Sequence, residues 1–270
     1  MRSDPRRTAL VTGASAGIGV AIADEFARHG FDLVLTARRE DRLRAVASDL
    51  AARHGVQTRI IVADLADPAA PARVCAEATA GGRPIDALVN NAGYGLGGGF
   101  LDVTWEQHAR FIQVMMTAVV ELTYRFLPGM IERRYGRILN VASLAGLVPG
   151  TAGHTLYGAS KSFVIKFSQS VGLEAAKHNV RVTALCPGFT YSEFHDVNGT
   201  RELVSRLPKW MWMQAAPVAR EGYAAVMRGD LVRVPGTANR VLAVLARIMP
   251  ERVVLAATKR QARNFRRVGR

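Results

Sequence analysis

From Thr8 onward the chain alternates short β-rich runs with amphipathic helical stretches, and this limits the possible fold more than any other feature. Strand-like runs cover residues 8–12, 31–36, 58–63, 86–90, 137–142 and 180–186, with a last one near 231–234. Helical patterns fill the gaps: one ends near Gly30, others span 40–54, 69–80 and 105–133, and another runs to about 178. Strands separated by helices pair in parallel, and the helices cover both faces of the sheet. The pattern predicts an α/β fold in one domain over residues 1–270, with no linker-like composition inside it.

Small or polar residues stand where each strand ends. Gly13-Ala-Ser15-Ala-Gly17-Ile18-Gly19 follows the first, in the strand–turn–helix setting that aims backbone N–H groups at phosphate. Asp64-Leu65 follow the third strand, Asn90-Asn91-Ala92-Gly93 the fourth, Ser143 the fifth and Pro187-Gly188 the sixth. Any one of these fits a helix cap or a turn. Together they mark one edge of the sheet, the edge at which open α/β sheets bind ligands. Tyr157 and Lys161, four residues apart, share a helix face just beyond Ser143. A cation beside a phenol favours the phenolate, so the pair suits proton transfer to or from a carbonyl oxygen.

These residues resemble the short-chain dehydrogenase/reductase family over roughly residues 8–194. The resemblance implies a doubly wound Rossmann sheet of about seven parallel strands, with a nicotinamide cofactor across the strand ends. Carried over position by position, Tyr157 is the acid/base, Lys161 lowers its pKa and binds the nicotinamide ribose, and Ser143 steadies the substrate oxygen. Gly13, Ser15, Gly17, Ile18 and Gly19 line the pyrophosphate and ribose; Asp64 and Leu65 hold the adenine. Asn91 and Gly93 lie along the cofactor, and Pro187, Gly188, Phe189, Thr190 and Ser192 border the nicotinamide. A carboxylate near the end of the second strand would select NAD, but Ala37 stands there, followed by Arg38 and Arg39. Two guanidinium groups suit a 2′-phosphate, so the expected cofactor is NADP(H). One departure is Met115, which aligns with the family's Asn in the long helix. The expectation is that the amide is lost together with any distortion of that helix, while a backbone carbonyl remains to hold water.

Composition narrows the surroundings. Cys75 and Cys186 lie in apolar segments without metal-ligand spacing, and the six histidines are scattered, so no metal site is expected. No apolar run reaches the length of a membrane span, which predicts a cytoplasmic protein. The formal net charge of +14 points to an anionic partner, and much of the excess falls within the extension at about 251–270. That extension joins apolar Val253, Val254 and Leu255 to a run of cations; it reads either as a peripheral contact with an anionic membrane or as a solvated tail. Nucleic acid is not expected, because only Phe265 interleaves with those charges.

Residues 189–216 occupy the place of a substrate lid, and Trp210, Met211, Trp212 and Met213 suit either an apolar pocket or lid-to-core packing. The helices from Trp105 and from Tyr157 carry apolar stripes, and the family resemblance implies pairing through these two helices, so a homodimer or homotetramer is expected. The activity expected is NADP(H)-dependent transfer of hydride between a nicotinamide and a hydrophobic ketone or secondary alcohol. The alternative is a sensor or scaffold that keeps the fold and the cofactor without turnover.

Overall fold

The structure is a computed structural model and describes residues 6–150, 152–153, 155–192, 208–249 and 252. Seven parallel strands form one sheet in the order β3-β2-β1-β4-β5-β6-β7. They are β1 (Thr8–Thr12), β2 (Asp32–Ala37), β3 (Thr58–Val62), β4 (Ala87–Asn90), β5 (Gly136–Val141), β6 (Val180–Leu185) and β7 (Val232–Arg233). Each lies within a residue or two of the run read from the sequence. The chain winds outward from β1 through β2 to β3, then crosses to β4 on the other side of β1. Strand order therefore reverses between β1 and β4, which opens a crevice above their carboxyl ends.

The helices are α1 (Gly17–Arg28), α2 (Glu40–His54), α3 (Ala70–Thr79), α4 (Trp105–Ile112), α5 (Ala118–Glu132), α6 (Thr155–Ala175), α7 (Ala215–Arg228) and α8 (Thr237–Ile248). Side chains alternate faces along a strand, and the core divides accordingly. Ala9, Val11, Leu33, Leu35, Ala87 and Val89 pack against α1, α2 and α7 through Ile22, Phe26, Leu43, Leu50 and Val218. Leu10, Val34, Leu88 and Ile138 face the other way, onto Val74 of α3 and Leu122, Phe126 and Met130 of α5. Strands buried on both faces must be apolar throughout, which is why β1 and β4 read as continuous hydrophobic runs.

The stretch from Trp105 to Glu132 is continuous helix, and one window of it is long and apolar enough to cross a bilayer. This corrects the expectation that no such stretch exists. Its Ala118, Leu122, Phe126 and Met130 are fully or almost fully buried against the sheet, which makes it a core helix.

Between α4 and α5 the helix widens into a π turn over Gln113–Thr117, closed by a bond from Ala118 N–H to Gln113 C=O. The distortion expected to vanish with the Asn is therefore present with Met115 in its place. A π turn is set by backbone hydrogen bonding that any side chain can accompany.

Candidate active site

The glycine-rich turn is clamped by its neighbour strand. Thr12 Oγ1 donates to Val89 C=O (3.1 Å) and accepts from Asn91 N–H (2.9 Å) and Ala92 N–H (3.0 Å). Asn91 Nδ2 donates to Thr12 C=O (2.9 Å) and Gly13 C=O (3.2 Å). A Cβ on Gly13 would lie 2.8 Å from Asn91 Nδ2, and one on Gly19 would lie 2.3 Å from the Gly13 carbonyl oxygen. Both glycines are thus required by the clamp. The amide of Asn91, expected along the cofactor, is spent on shaping the turn. Thr12, the first residue of the glycine motif, has the same task, a role that the motif does not reveal.

Helix α1 begins at Gly17 with φ +58°, has no side-chain cap and carries no acidic residue in its first turn. Its first N–H groups face the crevice, the arrangement that receives a diphosphate. Ser192 lies directly over this turn, its Cβ 2.8 Å from where a Gly17 Cβ would be. Ile18 packs against the core beneath.

At the ends of β2 and β3 the two arginines separate in function. Arg39 Nη2 donates to Ser15 Oγ (3.2 Å) and so ties the glycine-rich turn to β2. Arg38 is exposed and makes no ion pair among the described residues. Its charge acts on the Tyr94 hydroxyl, as do those of Arg110 and Asp64. Asp64 accepts from Ala66 N–H through Oδ1 (3.0 Å) and from Arg110 through Oδ2 (3.0 Å). Arg110, on α4, had no sequence signal. Leu65 is buried in the core, which leaves only its main chain for an adenine.

Ser143 ends the segment after β5 and accepts from Ala145 N–H through Oγ (3.1 Å). It also hydrogen-bonds the Tyr157 hydroxyl, which favours the phenolate. Burial has the larger effect on Tyr157 and moves its pKa above the ordinary value, despite a ring that is only partly covered. This reverses the expected direction. Lys161 is buried, its Nζ donates to Val141 C=O (2.8 Å), and it lies 5.7 Å from the Tyr157 ring centre. Desolvation lowers its pKa to about 8. The thiol of Cys186 beside it is pushed up to about 12 by burial.

A narrow apolar cavity opens on Tyr157, lined by Leu96, Phe100, Val103, Phe111 and Leu156. His108 closes one side, stacked on Phe100 with Nε2 2.9 Å from the Phe100 carbonyl oxygen. Across the site, Leu144 N–H donates to Pro187 C=O (2.8 Å), and Gly188 packs so tightly on Asn239 of α8 that a Cβ would lie 2.5 Å from its amide oxygen. Thr190 is buried and bridges to Met213, while Trp212 stacks on Tyr191 and contacts Phe189. The foot of the expected lid is thus an aromatic platform. Residues 193–207 of the expected lid lie outside the described residues, as do residues 253–270.

A buried polar chain underlies the site. Asn90 Nδ2 donates to Asn140 Oδ1 (2.9 Å) and Thr123 Oγ1 (3.3 Å), and Asn140 Nδ2 donates to Ser168 Oγ (2.9 Å). It pins α5 and α6 to β4 and β5, fixing the helix that carries Tyr157 and Lys161.

A doubly wound sheet with a phosphate-ready glycine turn and a Ser–Tyr–Lys cluster at its carboxyl edge defines a dinucleotide-dependent oxidoreductase fold. A profile of the short chain dehydrogenase family matches residues 7–202. The chain belongs to this family. It is 38% identical over 183 residues to oxidoreductase UcpA of Salmonella typhimurium, covering 68% of this chain and 69% of that protein. A short-chain dehydrogenase from Sphingobium yanoikuyae, solved in complex with NADPH, superposes with a TM-score of 0.80 at 36% identity, over 88% of this chain and 91% of that one. The bulky-bulky ketone specific alcohol dehydrogenase from Comamonas testosteroni superposes with a TM-score of 0.73 at 29% identity, over 91% and 95%.

Proposed function

We infer that the protein is an NADP(H)-dependent carbonyl reductase acting on hydrophobic ketones. The observation that carries this reading is the cluster of Ser143, Tyr157 and Lys161 at the mouth of an apolar cavity. The uncapped first turn of α1 and the Arg39–Ser15 contact fit the diphosphate of a dinucleotide, and exposed Arg38, with no ion pair among the described residues, fits a 2′-phosphate. NADPH in the Sphingobium structure supports the same choice. Bound there, a nicotinamide supplies or accepts the hydride.

The protein's own residues handle the oxygen and the proton. Burial keeps Tyr157 protonated at neutral pH, so its O–H can donate to a ketone oxygen. Ser143, bonded to the same hydroxyl, supplies a second donor and stabilises charge developing there. Lys161, with a pKa of about 8, can return a proton to Tyr157 near neutrality. The Phe189–Trp212–Tyr191 platform favours a bulky apolar substrate, in keeping with the bulky-bulky ketone specificity of the Comamonas enzyme.

Met115 was the ground for a sensor without turnover, and the persistence of the π turn weighs against it. Exposed Tyr124 on α5 and Leu173 on α6 support pairing of subunits through these helices. The test is oxidation of NADPH against a panel of bulky ketones. Turnover is expected in the wild type and a loss of at least about a thousandfold in Tyr157→Phe, which removes the proton donor and keeps the ring. An active Tyr157→Phe variant refutes the mechanism.

A further inference from the structure

Helix α8 turns an apolar stripe to solvent. Val241, Val244, Leu245 and Ile248 recur at the spacing of one helix face, and Met249 extends it. Val244 is 58% exposed and Ile248 69%. The opposite side of α8 holds its one buried residue, Asn239, whose Nδ2 donates to Pro235 C=O (3.0 Å) and contacts Met213 Sδ (3.4 Å). The helix is therefore anchored through a polar residue next to Gly188, and its hydrophobic face points away from the protein.

Charge identifies what covers that face. Helix α8 contains no acidic residue, and Arg247 makes no ion pair among the described residues. Beyond Met249 the sequence adds seven lysines and arginines against one acid, Glu251. A second copy seated symmetrically on the stripe would bring two such cationic segments together, which costs free energy. An anionic bilayer satisfies both features at once, taking the apolar side chains at the acyl boundary and the cations at lipid phosphates.

We propose that α8 is a membrane-docking helix that lies in the headgroup region of an anionic bilayer. Val253, Val254, Leu255 and Ala256 lie outside the described residues; the apolar contact is the exposed stripe of α8. The Asn239–Gly188 contact, on the opposite side of α8, then sets the lipid surface about one helix width (~10 Å) from the Pro187–Gly188 turn, so that ketones dissolved in the bilayer partition close to the site. Only this last step rests on the reading of the site as a ketone reductase.

The experiment is co-sedimentation of the full chain with vesicles of phosphatidylcholine, with and without phosphatidylglycerol, at low and high salt. Its comparison is the double variant Val244→Glu/Ile248→Glu. These side chains are exposed, so the variant should fold, and unchanged NADPH affinity by fluorescence checks this. Binding that requires phosphatidylglycerol, weakens with salt and falls at least about tenfold in the variant is the expected result. Absence of binding to anionic vesicles by the wild type overturns the proposal. So does equal binding by the variant, which would place the contact in the cationic segment alone. A wild-type oligomer that dissociates in the variant, with no vesicle binding by either, would instead make the stripe a subunit interface. A protein that docks but reduces no ketone leaves the docking intact and refutes the substrate reading.

Discussion

Lys161 holds a charge where the fold does not favour one. Its pKa falls from 10.5 to about 8 because burial strips water from the ammonium. At ~1.36 kcal/mol for each tenfold change in proton binding, the charged lysine costs the fold roughly 3 kcal/mol near neutral pH. Between pH about 8 and 10.5 the unfolded chain binds more protons at this residue than the folded one. Stability contributed by the site therefore rises with pH across that window, and the cost is fully present below it. Lys161→Met keeps the aliphatic stem and removes the charge. It is expected to stabilise the protein at pH ~7 by about 1–3 kcal/mol, a few degrees in Tm, while abolishing turnover. Urea unfolding of wild type and variant at several pH values measures this. The difference between them should shrink as pH climbs through the window, because only the wild type changes at this residue. A variant less stable than the wild type at neutral pH, or a gap that does not narrow, would refute the argument from desolvation.

Arg38→Ala should weaken NADPH about tenfold or more and leave NADH nearly unchanged, measured by fluorescence titration, because one charge-assisted phosphate contact is lost; equal losses would give Arg38 another role. Tyr124→Glu/Leu173→Glu should convert an oligomer to monomers in light scattering, and a wild type that is monomeric at all concentrations would refute the interface. Met115→Asn places a polar side chain in a nearly closed site against Gly93, where a Cβ would already lie 3.0 Å from the Met115 sulfur. It is expected to cost about 1–3 kcal/mol of stability in denaturant unfolding while leaving NADPH affinity almost unchanged; a large loss of affinity would give Met115 a part in shaping the cofactor crevice.

The order of strands and helices was legible because burial on both faces forces apolar runs, and helix periodicity separates them. Helix α8 carries the same kind of signal in Val241, Val244, Leu245 and Ile248. Residue types at the strand ends sufficed to collect Gly13, Asp64, Ser143, Tyr157 and Lys161 at one edge, since parallel strands all finish on the same side. What each does depended on partners distant in the chain. Asn91 shapes the glycine turn because Thr12 lies beside it across β1 and β4, and Asp64 is engaged by Arg110 from a helix whose sequence gives no hint of the contact. The pKa of Tyr157 rises because burial outweighs its hydrogen bond to Ser143, and the neighbouring lysine is tethered to Val141. The spacing of two residues on a helix states that they can meet; only the packed sheet decides how much water each one loses, and desolvation sets the direction of both pKa values.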